Sequence, residues 1–230
     1  MTANTAAVPI KALAFDAYGT LFDVNSVTTT TEELFPGSGK KISQIWRLQQ
    51  LQYTWLLSLM GHHHDFFWVT EQALRFACQS LNLELADSSL QRLLDQYGKL
   101  STYPEVATAL KTLGEQYSLA ILSNGSPAML STVAANAQLI NLFSHILSAE
   151  PAGIFKPNPK VYQLAVDAFG FPASEIGFVS SNNWDVSGAK AFGFQTYWLN
   201  RSGQPGLTLG FPADHVFQNM SDLVAMLQLP

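Results

Sequence analysis

Short apolar segments alternate with helical ones along most of this chain, and that alternation limits its fold more than any other feature. Strand patterns run from Lys11 to Asp16, Ser118 to Ser123, His145 to Ser148, Ile176 to Ser180, Thr196 to Leu199 and His215 to Phe217. Helical patterns fill the gaps at Pro104 to Gln116, Pro127 to Gln138, Pro159 to Phe169, Val186 to Phe192 and Ser221 to Leu227. Such alternation predicts an α/β fold, a Rossmann-like parallel sheet with helices on both faces. It is interrupted once: after Phe22-Asp23-Val24 the pattern is wholly helical until about Tyr97. We therefore expect a core made of residues 1–23 and 101–230, carrying a helical insertion of residues 24–100. A length of 230 residues suffices for both.

Charge and cysteine usage exclude several partners. The formal net charge is −5 and no Lys/Arg cluster exists, which argues against nucleic acid and anionic lipid. The one cysteine, Cys78, rules out an intramolecular disulfide and reads as a buried thiol in a helix. The first nine residues are small and neutral, unlike a signal peptide, and no apolar stretch has membrane-spanning length. A cytoplasmic protein is expected.

One helix of the insertion, Lys40 to Met60, carries apolar residues on two sides. At 100° per residue Ile42, Ile45, Trp46, Tyr53, Leu56, Leu57 and Met60 share a face, with Arg47, Leu48, Leu51 and Trp55 opposite. That predicts a helix sandwiched between other elements, and motivates pairing with a second copy as a homodimer. Arg47 either extends its head to water or meets an anion, since burying a cation alone is costly.

Chemistry in an open α/β sheet gathers at the carboxyl ends of the strands. Asp16 ends the first strand, followed by Ala17, Tyr18, Gly19 and Thr20. It is either a turn-forming acid or a nucleophile. Ser123-Asn124-Gly125-Ser126 ends a second strand and offers a hydroxyl and backbone N–H groups to an oxyanion. Lys156 precedes Pro157, which holds it out of a helix. The polar run Ser180-Ser181-Asn182-Asn183-Trp184-Asp185 ends a fourth apolar strand. Each segment is ordinary singly; the ordered set is specific. Two other features carry less. His62-His63-His64 cannot all face one side, so a solvated loop is expected, with a gating role left open. Gly37-Ser38-Gly39-Lys40-Lys41 lacks both the upstream glycine and the preceding strand of a phosphate loop.

The ordered set resembles the haloacid dehalogenase superfamily over nearly the whole chain, and the insertion is similar to its helical cap. Most members of that superfamily are magnesium-dependent phosphatases. They carry a second acid two residues after the nucleophile, where this chain has Tyr18, and more carboxylates in the last loop, where it has Ser180, Ser181 and Asn182. These departures, with Trp46-Arg47, Tyr53-Thr54-Trp55, Lys156-Pro157 and Val161-Tyr162, resemble the L-2-haloacid dehalogenases. The resemblance implies hydrolysis of short-chain L-2-haloalkanoic acids to D-2-hydroxy acids through an ester on Asp16, with no metal or other cofactor. It implies catalytic roles for Asp16, Thr20, Arg47, Ser123, Lys156, Tyr162, Ser180, Asn182 and Asp185. Arg47 would receive the halide, with Asn124 and Trp184 completing its pocket. Thr20, Ser180, Asn182 and Asp185 would hold Lys156 and position or deprotonate the water. Substrate would contact Ala17, Tyr18, Arg47, Leu51, Phe66, Ser123, Asn124 and Trp184. Leu48 departs from the polar residue of that pattern. A magnesium-dependent phosphatase, a fluoroacetate-type dehalogenase and a silent carboxylate binder are the alternatives.

Overall fold

The computed structural model describes residues 8–228, so seven of the nine N-terminal residues read above lie outside it. Six parallel strands form one sheet: β1 (Ala12–Phe15), β2 (Ser118–Ser123), β3 (His145–Ser148), β4 (Ile176–Ser180), β5 (Gln195–Leu199) and β6 (His215–Phe217). Their order is β3-β2-β1-β4-β5-β6. Every residue of β1 is buried, as a central strand with both faces covered demands. Phe15 stands level with Ile121 of β2 and Val179 of β4. This register brings Asp16, Ser123 and Ser180 to the same edge. The strand order reverses across β1, and the crevice at that switch point is where open sheets bind ligands.

Four α-helices make up the insertion after β1: α1 (Thr28–Leu34), α2 (Gly39–Met60), α3 (Phe66–Ser80) and α4 (Asp87–Gln96). The connections α5 (Val106–Gly114), α6 (Pro127–Asn136), α7 (Pro159–Phe169) and α8 (Asn183–Phe192) alternate with the strands, and α9 (Met220–Leu227) follows β6. Side chains start several of them. Asp65 accepts the Trp68 N–H at 2.7 Å, and Asn158 accepts that of Lys160 at 3.0 Å. No helix among the described residues is long and apolar enough to cross a membrane.

Three expectations need correction. First, α8 begins at Asn183 rather than Val186. Asn182 stays extended and its carbonyl accepts the Asp185 N–H at 3.0 Å, so Trp184 and Asp185 belong to a helical first turn. Second, α2 is not sandwiched. Ile42 and Trp46 are fully buried, yet Leu48, Leu56, Leu59 and Met60 are exposed at 64%, 43%, 84% and 60%. Its buried side is completed instead by polar groups in mutual contact. Gln50 Nε2 donates to Thr70 Oγ1 at 2.8 Å, Tyr97 Oη donates to Gln50 Oε1 at 2.9 Å, and Trp46 Nε1 donates to the Thr70 carbonyl at 2.8 Å. A satisfied amide is tolerated in a core, which hydrophobic periodicity does not register. Third, only His62 and His64 of the histidine run are exposed. His63 is half-buried, its ring 5.0 Å from that of Phe155. In the Gly37–Lys41 segment the Glu32 carboxylate accepts the N–H groups of Gly37 and Gly39.

Candidate active site

Asp16 follows the last residue of β1, its own N–H bonded to the Val179 carbonyl at 2.9 Å, and it is only 6% exposed. Its two carboxylate oxygens have different neighbours. Oδ2 accepts from Thr20 Oγ1 at 2.9 Å and from Asn182 Nδ2 at 2.6 Å. Oδ1 accepts from Lys156 Nζ at 3.2 Å. The turn after Asp16 closes on the Ala17 carbonyl, which accepts the N–H of Leu21 at 2.9 Å. Gly19 has φ +91, a conformation other residues avoid.

Lys156 is buried between two carboxylates. Its ammonium donates to Asp185 Oδ2 at 2.8 Å as well as to Asp16, and lies 4.9 Å above the Phe178 ring. Burial works against its charge, but Asp16 and Asp185 outweigh that and hold its pKa above the ordinary lysine value. Asp185 is fully buried; burial pushes its carboxyl up to about 6, against the pull of Lys156. Tyr162 Oη donates to Asp185 Oδ1 at 2.8 Å, and its own pKa is raised by burial and by that carboxylate. Asn124 Oδ1 accepts the Lys156 N–H at 2.9 Å.

From α2, half-buried Arg47 reaches across. Its Nη2 donates to the Tyr18 carbonyl at 3.1 Å and to Asn182 Oδ1 at 3.4 Å. It forms no ion pair among the described residues, whereas Arg75, Arg92 and Arg201 each do. Tyr18 is buried with its ring 5.7 Å from Phe66 and 5.8 Å from Tyr97. Burial raises its phenol pKa, and its hydroxyl has no partner among the described residues. Trp184 meets Trp55 edge to face at 5.5 Å, and both line a cavity of about 450 Å³ that Lys156 also borders.

The structure thus gathers Asp16, Thr20, Arg47, Lys156, Tyr162, Asn182 and Asp185 in one hydrogen-bonded cluster. Two expected roles change. Thr20 and Asn182 hold Asp16 rather than Lys156, whose ammonium donates, among the described residues, to the two aspartates alone. Ser123 and Ser180 act on the backbone: their hydroxyls accept the N–H groups of Gly125 at 3.2 Å and Asn182 at 3.0 Å. Leu51 is half-buried one turn beyond Arg47. Tyr97 and Trp55 were not singled out for the site. Trp55 shares the Arg47 side of its helix, a signal that was present; Tyr97 gave none, because it reaches Tyr18 only through the packing of α4 and α2.

A divalent cation does not suit this donor set. The Lys156 ammonium takes the space between the two carboxylates, and no group of three or more acidic, histidine or cysteine side chains is placed to hold a metal among the described residues.

Residues 10–193 match the family model of the haloacid dehalogenase-like hydrolases. The chain belongs to that family. It is 44% identical over 220 residues to the (S)-2-haloacid dehalogenase of Pseudomonas sp. (strain YL), covering 95% of each chain. A crystal structure of an L-2-haloacid dehalogenase, 44% identical, superposes with a TM-score of 0.95 over 96% of this chain and 100% of that one. A structure of the Xanthobacter autotrophicus L-2-haloacid dehalogenase with chloropropionic acid covalently bound, 38% identical, gives a TM-score of 0.91 over 95% of this chain and 98% of that one.

Proposed function

We propose that this chain hydrolyses short-chain L-2-haloalkanoic acids to D-2-hydroxy acids through an ester on Asp16. One observation carries the reading: a buried carboxylate at the switch point is oriented by Thr20, Asn182 and Lys156, within reach of an arginine that has no acidic partner among the described residues. The named activity of the Pseudomonas relative and the covalent chloropropionic acid of the Xanthobacter structure support it.

In the first step an Asp16 oxygen bonds to C2 in line with the halogen, which leaves with the bonding electrons as halide and inverts the centre. Orientation and exclusion of water make a carboxylate effective here. Two carboxylates repel strongly in such a site. Lys156, the Ser123 hydroxyl and the N–H groups of Ala17, Tyr18 and Asn124 offset that repulsion. Arg47 receives the halide, and Asn124 and Trp184 complete its pocket. Tyr18, Leu51, Phe66 and Trp184 bound the alkyl group.

In the second step water bonds to the Asp16 carbonyl carbon and gives its proton to Asp185. The acyl–oxygen bond breaks, the alkoxide takes the proton held by Asp185, and Asp16, which keeps the water oxygen and loses its remaining proton to solvent, is regenerated with C2 untouched. Tyr162 and Lys156 fix Asp185 for this role, and Ser180 fixes the backbone of Asn182.

Residues 1–23 and 101–230 act as the catalytic core and 24–100 as a cap that delivers Arg47. The exposed Leu48, Leu56, Leu59 and Met60 of α2 support a homodimer formed through that helix, and the single cysteine suits a cytoplasmic location. The test is chloride release from L- and D-2-chloropropionate with excess chelator. Release from the L isomer alone, unchanged by chelator, is expected. Loss of activity with chelator, or turnover of p-nitrophenyl phosphate instead, would contradict the reading.

A further inference from the structure

The two side chains that grip the Asp16 oxygens border different recesses. Lys156, which binds Oδ1, lines the largely apolar cavity with Trp55 and Trp184. Asn182, which binds Oδ2, lines a separate polar cleft of about 470 Å³ with Gly19, Ser181, Asn200, Arg201 and Ser202. The two share no lining residue.

Two polar groups without a protein partner lie in the wall of the cleft. Ser181 Oγ and Arg201 Nε are buried and find no hydrogen-bond partner among the described residues. A buried hydroxyl or N–H without a protein partner is ordinarily satisfied by ordered water. The rest of Arg201 is committed: it pairs with Glu105, donates to the Thr20 carbonyl at 3.2 Å and stacks 3.9 Å over Tyr103. The wall between cleft and nucleophile is one side chain thick. Asn182 spans it, and a Cβ built at Gly19 would lie 3.7 Å from the Asn182 amide and 3.9 Å from Arg47 Nη2.

After halide departure the acyl group fills the substrate side, and water must still reach the Asp16 carbonyl carbon. We propose that the cleft behind Asn182, lined by Ser181 and Arg201, is the route by which hydrolytic water reaches the Asp16 ester, separate from the apolar cavity beside Lys156 and Trp184. This rests on the ester reaction proposed above. Water passing Asn182 then bonds to the ester carbonyl carbon while its proton passes to Asp185.

The test plugs the cleft at its rim, away from the catalytic groups, with Ser202→Trp and separately with Asn25→Trp, both at exposed positions lining it. Rapid mixing with L-2-chloropropionate reads the chloride burst, and mass spectrometry of the Asp16 peptide reads the ester. In at least one variant with wild-type melting behaviour, ester hydrolysis should slow by at least about tenfold. The burst should stay within about twofold of wild type, and ester should accumulate. Unchanged hydrolysis in both folded variants, or a burst slowed as much as hydrolysis, would overturn the proposal. A wild-type enzyme that releases chloride without any ester would instead sink the reading beneath it, so the two failures are distinguishable.

Discussion

Asp16, Lys156 and Asp185 form a buried row of alternating charge, and each is held by the others. Replacing Asp16 by Asn removes the nucleophile while keeping the shape, so chloride release should fall by at least about a thousandfold with the fold intact. Measured chloride and a circular dichroism melt check this. Lys156→Met leaves two carboxylates facing each other out of water. Breaking a buried pair in this way costs about 3–5 kcal/mol, readable as a lowered urea midpoint, with loss of activity. Asp185 gives a pH dependence. Burial lifts its carboxyl to about 6, so it is protonated below that pH and ionised above it. A base must be ionised, hence ester hydrolysis should rise with pH through about 6 on a one-proton limb. The Tyr162 hydrogen bond favours the ionised form, so Tyr162→Phe should move that limb upward. A limb that stays in place would contradict the assignment. The same shift has a stability sign. The folded state binds more protons than the unfolded chain between the ordinary value of 3.8 and about 6, so this group's contribution to stability declines as pH rises through that window.

Among the elements, α2 ties the insertion to the core. It supplies Arg47 and Trp55, and Ser58 Oγ accepts the Phe155 N–H at 3.2 Å, beside Lys156. Its start depends on a close approach. A Cβ built at Gly39 would lie 2.3 Å from the Glu32 backbone nitrogen, too close without a backbone shift. Gly39→Ala should therefore cost about 1–3 kcal/mol, read from the urea midpoint. An unchanged midpoint would show that the turn relaxes freely. This element also shows where sequence reading stops. Helical spacing revealed its length and put Arg47 and Trp55 on one side. It could not tell that Gln50 is buried while Leu59 is exposed, because that depends on Thr70 and Tyr97, which arrive from other parts of the chain. The start of α8 was hidden for a related reason. Ser180 through Asp185 is a polar run, and helical character there is set by backbone bonds from Asn182 rather than by any apolar stripe.

For the molecule as a whole, the strand alternation and the acid, hydroxyl and lysine at strand ends were legible because they are local. The division of labour among them was not. Asn182 reaches Asp16 from 166 residues away and Lys156 from 140, so which oxygen each one grips follows only from the strand order. That order puts β1 between β2 and β4, with Asp16 at their shared crevice and the insertion above it. Everything proposed for the reaction hangs on Asp16 being alkylated and then hydrolysed at its own carbonyl carbon. A single turnover in ¹⁸O-water, with enzyme in excess over L-2-chloropropionate, tests this directly. Label should appear in the Asp16 peptide and be missing from the lactate formed. Label in that lactate with an unlabelled Asp16 would mean that water attacks the substrate itself, and the account would be wrong.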